Sequence, residues 1–474
     1  MQDDRPNILL FMTDQHRGDC LSFERHPVVQ TPNLDTLGGQ GASFASCRST
    51  CPSCIAARRS LLSGQAPASH GLVGYQDHLD WNPPATLPDE LRKTGYQTAM
   101  IGRTMHQSPR NKHFGFEYQE VDIGADPKFP TERQLAIARE HPGGGIGLDA
   151  HGIDGNGWIG RPWHLDESLH EVHWVVTQAI KWLWRRDPSR PYFLVVSFNP
   201  PHPPSVPPEH YFDRYMNMDL PKPVIGQWAT RPPNDGLGLP PASHHCVLEG
   251  QRAKNAQAGY FGSINYVDDQ LGRILSGHGG NDGSSLTNTI IAHTSDHGEM
   301  LGDHYMFRKC WPYDASTRVP LMLKGPGIKQ GVRHEHPVCL EDIMPTFLDL
   351  AGVKIPPSVD GKSLVPILKG QTNDAVRPYL HGEHATCYGP EQANHYLVDK
   401  EFKYIWFTHQ GNEQLFNLPS DPNETIDLAA DPAHAKTLAL WRERMIKQLN
   451  DRPEGFVADG KLVPGQTYEP VIPR

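Results

Sequence analysis

The chain has 474 residues, enough for one large α/β domain with a smaller companion, and 44 Lys+Arg against 54 Asp+Glu leave a formal charge of −10. That balance offers no basic field to a polyanion and excludes nucleic acid as an expected partner. The 44 glycines, 44 prolines, ten tryptophans and 37% hydrophobic content describe a folded, loop-rich protein, and no apolar run approaches the ~20 residues of a membrane span.

The opening residues Met1–Pro6 run straight into an apolar stretch without the basic and apolar regions of a secretory signal. The expected location is therefore cytoplasmic as written, or periplasmic or secreted if a leader has been removed. Ile8–Met12, Ala99–Gly102, Tyr192–Phe198, Thr289–His293 and Val319–Leu323 read as strands. Glu171–Arg186 and Ala256–Ser276 read as helices, the second with Ile264, Val267, Leu271 and Ile274 on one stripe. This alternation predicts an α/β sandwich with a mostly parallel central sheet covered by helices on both faces. Segments 107–165 and 199–250, rich in Pro, Gly and His, are expected to wall a site. A helix at Ile343–Ala351 stops at Gly352, and a tail from about 376 reads as a few strands and a helix, Ala433–Leu449. The expected division is a catalytic domain over 1–370 and a small C-terminal α/β subdomain over 371–474.

Three constellations carry chemistry. Asp14-Gln15 follows the first strand, where open α/β sheets present ligands, although an Asp there can also simply cap a helix. Thr294-Ser295-Asp296-His297-Gly298-Glu299 is a second strand end, able to bring an oxygen and a nitrogen to the same cation. In Cys51-Pro52-Ser53-Cys54-Ile55-Ala56-Ala57-Arg58, Pro and Ser precede a helix-favouring run. Cys54 is thus expected near a helix N-terminus, where free amides favour an anion, with Arg58 one turn on. The alternatives are a low-pKa structural thiol or a Cys51-x-x-Cys54 redox or zinc pair, though no second Cys pair follows at ligand spacing.

Asp360-Gly361-Lys362-Ser363 echoes a P-loop, but Pro356 stands where the first glycine is required. His170-Glu171-Val172-His173 has two residues between its histidines where a helical zinc motif needs three. Asp303, His70, His304 and His384 are candidates to line a pocket, and Trp158, Trp163 and Trp228 to stack on a sugar, with ordinary packing as the competing role.

Cys54-Ile55-Ala56-Ala57-Arg58, followed by Ser60-Leu61-Leu62-Ser63-Gly64, resembles the type I sulfatase signature C-x-P/A-x-R with its trailing helix, in the alkaline phosphatase superfamily. Further blocks agree with that family in order: Pro6–Leu10 with Asp14, Thr31–Asp35, Pro201-His202-Pro203-Pro204, Ser295–Glu299, Arg318–Leu321 and Gln414–Leu418. The resemblance implies that Cys54 is oxidised by a formylglycine-generating maturation enzyme to formylglycine. One hydroxyl of the hydrated aldehyde then attacks sulfur, and the other expels sulfate by collapse to the aldehyde. It implies one divalent metal, calcium foremost with manganese or magnesium as alternatives, at Asp14, Gln15, Cys54, Asp296 and His297. Arg58 would hold the diol, while His202 and Lys309 contact sulfate and protonate the leaving oxygen.

Arg103 and His106 resemble a G-K-x-H block in which the Lys contacts the diol and the His accepts a proton. Here Arg replaces Lys and one extra residue separates the two. Gln15 and His297 stand where many arylsulfatases have Asp and Asn. The resulting expectation is a sulfuric ester hydrolase acting on a small-molecule or oligosaccharide sulfate, with a sulfated sugar favoured. The alternatives are a phosphonate monoester or phosphodiester hydrolase using the same nucleophile, and a silent anion or glycan binder.

Overall fold

The computed structural model describes residues 4–122, 128–140, 153–233, 240–276, 286–372 and 374–472. Parts of the two long segments expected to wall the site, 107–165 and 199–250, lie outside the described residues.

The central sheet has eight strands in the order Tyr118–Val121, Gln97–Gly102, Tyr192–Pro201, Asn7–Asp14, Thr289–Ser295, Leu321–Lys324, Ala42–Phe44 and Val332–His334. Its first five strands are mutually parallel, and Leu321–Lys324 is antiparallel to both neighbours. The strand expected at Val319 starts two residues later, because Pro320 has no N–H for the ladder.

Burial on both faces explains why Ile8–Met12 reads as a continuous apolar run rather than an alternating one. Ile8, Leu10 and Met12 join Leu61, Leu62, Leu87, Leu91 and Phe347, placing helices Cys54–Ser63, Leu87–Lys93 and Ile343–Leu350 on that side. Leu9 and Phe11 join Leu34, Val172, Val175, Val267 and Leu271, so Pro32–Gly39, Glu171–Arg185 and Gly250–Leu275 cover the other. Burying each of these large side chains contributes roughly 1.5–3 kcal/mol, which fixes the strand register and hence where its last residues point.

The tail forms a separate antiparallel sheet, Leu380–His384, Asn394–Val398, Phe402–Phe407 and Glu413–Asn417. Helix Ala435–Leu449 buries Trp441, Met445 and Leu449 with Leu397, Tyr404 and Trp406 of this sheet. Among the described residues no helix is long and apolar enough to cross a membrane.

Candidate active site

Three adjacent central strands deliver the first set of groups. Thr13 pairs with Ser295 and Asp14 with Pro201, so Asp14, Asp296 and His202 emerge side by side at the carboxyl edge of the sheet. The His202 N–H also donates to the Asp14 carbonyl at 3.0 Å.

Cys54 arrives from below this edge. Ser53 is extended, helix Cys54–Ser63 starts at once, and every residue of that helix is buried. It ends at Gly64, whose φ of 65° favours glycine and where a Cβ would lie 2.8 Å from Val359. The Cys54 Sγ is 3.1 Å from His297 Nε2 and 3.7 Å from Asp14 Oδ1. One ligand atom from each of Asp14, Cys54, Asp296 and His297 lies within 4.8 Å of the others, and all four residues are buried. Cys51 is not part of that group.

Arg58 is fully buried and points its guanidinium at the carboxylates, with Nε 2.9 Å from Asp296 Oδ2 and Nη2 3.0 Å from Asp14 Oδ2. Its Nη1 donates to the Thr104 carbonyl and to Ser197 Oγ, both at 3.2 Å. The sequence expectation placed it against a diol at position 54; here its donors hold the acid pair. Arg103 adds a second cation, with Nε 2.7 Å from Asp14 Oδ2 and Nη1 donating to Asn199. Burial alone would push Asp14 up, but Arg103, His202, Arg58 and His297 hold it well below the usual carboxylate range.

His297 donates through Nδ1 to the Gly298 carbonyl at 3.0 Å, leaving Nε2 aimed at Cys54 and 3.7 Å from both Asp14 Oδ1 and Asp296 Oδ1. Burial opposes charge on this ring, yet Asp296 and Cys54 raise its pKa to about 9. The cluster thus stabilises positive charge at one point, using two carboxylate oxygens, a sulfur position and an unsubstituted imidazole nitrogen. That donor set fits a divalent cation. The Cys54 thiol is also shifted: burial and Asp14 push it up, but Lys309 and His297 prevail and bring it below its ordinary value.

On the opposite side, Lys309 Nζ is 2.8 Å from His202 Nε2 and 2.9 Å from Gln15 Oε1. His202 Nδ1 donates to the Pro203 carbonyl at 2.7 Å, so Nε2 is the acceptor for Lys309. Burial first and the Lys309 charge second drive the His202 pKa well below its usual value. Gln15 is therefore in the site, but its amide oxygen serves Lys309, and it reaches the acid cluster through its backbone N–H, 3.1 Å from Asp296 Oδ1. The His106 Nε2 is buried without a hydrogen-bond partner. Burial, then Arg103 and Arg58, hold that ring neutral.

All ten sequence-selected residues meet in one region. Glu299 and Asn199 were assigned no role from sequence. The Glu299 carboxylate accepts from Gln15 Nε2 and from the backbone N–H groups of Leu301 and Arg308, tying the loop that carries Lys309 to Gln15. Its place in the Asp296–Glu299 run was the available signal. Asn199, near the end of strand Tyr192–Pro201, had none. Several second-rank candidates have ordinary structural partners. Asp303 pairs with Arg17 at 2.8 Å, His70 with Ser60 at 3.2 Å, His304 accepts from Gly226, and His384 donates to the Ala385 carbonyl. Trp228 stacks on Tyr313 and donates to Glu424, and Trp163 donates to the Asp166 carbonyl.

A carboxylate pair at adjacent strand ends, facing a helix-terminal cysteine in a sheet covered on both sides, places the protein in the alkaline-phosphatase-like fold class. The sulfatase family model matches residues 6–353, and a model of the N-sulphoglucosamine sulphohydrolase C-terminal region matches 302–451. An arylsulfatase of Clostridium perfringens is 40% identical over 97% of this chain and 98% of that protein. A choline-sulfatase of Rhizobium meliloti is 30% identical over 94% of this chain and 86% of that protein. Among solved structures, the phosphonate monoester hydrolase of Agrobacterium radiobacter superposes with a TM-score of 0.77 at 26% identity, covering 94% of this chain and 95% of that one. A protein solved with its substrate D-glucosamine-2-N,6-O-disulfate shares the fold at a TM-score of 0.75 and 22% identity, covering 94% and 98%. The chain belongs to the sulfatase family and is a sulfatase, a hydrolase of sulfate esters.

Proposed function

We propose that this sulfatase cleaves a sulfate monoester with residue 54, converted from Cys to formylglycine, as nucleophile and with one divalent cation, calcium foremost and manganese or magnesium as alternatives. The observation that carries this reading is the position of Cys54: buried at a helix N-terminus, with its Sγ 3.1 Å from His297 Nε2 and beside two carboxylates. Asp14, Asp296, His297 and residue 54 would hold the cation, with Gln15 beside them. When bound, the cation would neutralise sulfuryl oxygens and favour deprotonation of the nucleophilic hydroxyl. The hydrate would supply one hydroxyl to attack sulfur and a second whose collapse to the aldehyde releases sulfate.

The chain's own groups then have distinct tasks. Arg58 and Arg103 orient the two acids and keep Asp14 ionised, because each guanidinium ends on Asp14 and Arg58 also on Asp296. Lys309 Nζ donates to His202 Nε2 at 2.8 Å, and this pair would supply the proton to the leaving oxygen. His106, kept neutral, is the base for the second hydroxyl. We take residues 1–370 as the catalytic unit and 371–474 as a smaller one, supported by the separate antiparallel sheet of the tail. A sulfated mono- or oligosaccharide is the proposed substrate, in line with the glycan substrate of the structural relative described above.

The test combines mass spectrometry of the residue-54 peptide from active enzyme with parallel kinetics on an aryl sulfate, an aryl phosphonate monoester and a phosphodiester. The expected result is an aldehyde at position 54 and a strong preference for sulfate. A peptide found only as thiol at full turnover, or a preference for either phosphorus ester, overturns the reading.

A further inference from the structure

Cys310 follows Lys309 directly, and its Sγ stands 3.4 Å from that of Cys387, in the connection between tail strands Leu380–His384 and Asn394–Val398. Both are free thiols; Cys310 is buried and Cys387 is exposed. The contact does not depend on the two side chains alone, because one buried amide holds both backbones. Gln392 Oε1 accepts from the Cys387 N–H at 2.9 Å, and its Nε2 donates to the Cys310 carbonyl. The Cys310 N–H donates in turn to the Pro52 carbonyl at 3.0 Å. A second contact joins the same two segments, with the Arg308 guanidinium carbon 5.3 Å from the centre of the Tyr388 ring. A disulfide needs its sulfurs about 2.05 Å apart, so closing this pair takes a shift of about 1.4 Å, shared between two side chains.

The segment so held is one the chain does not adopt freely. Arg308 and Cys310, on either side of Lys309, have φ of 69° and 77°, a left-handed conformation that residues other than glycine disfavour. Their N–H groups are held by Glu299 and Pro52, and between them Lys309 Nζ reaches His202 and Gln15. A bond made at Cys310 therefore acts on the position of Lys309. The two thiols also differ in reactivity. Burial pushes the Cys310 thiol up, but its contacts with Cys387 and Tyr388 and the charges of Lys309 and Arg308 bring it below its ordinary value. The contact with Cys310, and then burial, raise that of Cys387.

We infer that Cys310 and Cys387 form a redox modification site, closed by a small-molecule disulfide into a reversible bond that fastens the segment carrying Lys309 to the tail. The reagent first exchanges at the exposed residue: Cys387 Sγ bonds to one sulfur of the reagent, whose S–S bond breaks, and the other half leaves as a thiol with the Cys387 proton. Cys310 Sγ then attacks Cys387 Sγ, the protein disulfide forms, and the second half of the reagent leaves as a thiol carrying the Cys310 proton. Two protein thiols are oxidised and one reagent disulfide is reduced to two thiols. An oxidising compartment closes the pair and a reducing one opens it. The length of chain between residues 310 and 387 makes the bond stabilising, since the cross-link removes freedom mainly from the unfolded state.

The test incubates reduced, active wild type with oxidised glutathione, blocks the remaining thiols with N-ethylmaleimide and maps disulfides by peptide mass spectrometry. The expected product is a cross-link between Cys310 and Cys387, lighter by two hydrogens than the two peptides together and removed by dithiothreitol. The oxidised enzyme should keep its kcat/KM on 4-nitrophenyl sulfate within about twofold and lose activity on heating at least about threefold more slowly than the reduced enzyme. Cys387→Ser should match the reduced wild type in kcat/KM and gain no heat resistance from the oxidant. Glutathione retained on Cys387 without a cross-link, or a cross-link from Cys310 to another cysteine, overturns the pair. A bond between Cys310 and Cys387 that lowers kcat/KM further, or that leaves heat inactivation unchanged, overturns the fastening role. So does a Cys387→Ser variant that gains the same resistance. The cross-link and heat readings come from the wild type, so they decide the inference even where Cys387→Ser does not fold.

Discussion

Asp296→Asn separates the roles assigned to the acid pair. In the wild type, Asp296 Oδ1 accepts from the backbone N–H groups of Gln15 and His297 at 3.1 and 3.0 Å, and Oδ2 accepts from Arg58 Nε at 2.9 Å. Asparagine can keep the two backbone bonds through its carbonyl, but its NH2 then meets Arg58 Nε, donor against donor. Breaking a buried ion pair on one side costs about 3–5 kcal/mol, and Arg58 retains Asp14, Ser197 and Thr104 as partners, so the lower end is expected. For the cation, the 3.7 Å spacing of His297 Nε2 from each carboxylate sets the scale of the site. At an effective dielectric near 20 a unit charge pair at 4 Å is worth about 4 kcal/mol, so even after partial compensation by the amide oxygen a net loss of about 3 kcal/mol, roughly a hundredfold in affinity, is expected. Metal analysis of purified protein, titration of calcium and manganese against turnover, and thermal unfolding read these two effects independently. The variant should be folded, metal-poor and inactive, with partial recovery at high cation concentration. Metal content equal to the wild type would refute the ligand assignment.

Two further outcomes follow from the same geometry. His202→Ala leaves Lys309 Nζ without its imidazole partner, so kcat/KM should fall by on the order of 10²–10⁴ on a sulfated alcohol and much less on a nitrophenyl sulfate, whose leaving group needs no proton; an equal loss on both substrates would remove His202 from the proton-transfer step. Glu171 is buried with Oε2 unpartnered, and burial, only partly offset by Arg133, raises its pKa to about 7. The folded state then holds a proton that the unfolded state has released above its ordinary value of 4.5, so Glu171 lowers stability progressively as pH rises from about 4.5 to about 7. Glu171→Gln should flatten that segment of the urea-midpoint profile, and an unchanged profile would show that Glu171 is ionised in the fold.

The central strands that end at the site were legible because burial on two faces forces continuous apolar runs, and five such runs lie far apart in the chain. The short strands Ala42–Phe44 and Val332–His334 were not, since three residues carry no periodicity and exist only by pairing with residues already placed. The start of helix Gly250–Leu275 was missed for a related reason: its first turn, Gly250–Ala253, is exposed or half-buried and shows no apolar stripe. In the tail, Ala433 was read as helical, but Pro432–His434 forms a tighter turn capped by Asp431 before the α-helix begins at Ala435.

Within the site, the identity of the residues was readable and their partners were not. Spacing places Arg58 one turn after Cys54, which suggests a cation facing that residue. It cannot show that two carboxylates from strands 238 and 44 residues away will reach the guanidinium first. The outcome follows from charge. Asp14 and Asp296 are wholly buried, and taking two such carboxylates out of water is costly unless cations are fixed beside them. Arg58 fulfils that requirement with hydrogen bonds to both acids, and Arg103 adds an ion pair to Asp14. Arg103 therefore has a structural role in this chain. It ends on Asp14 and Asn199, so substitution of Arg103 should be felt first through Asp14.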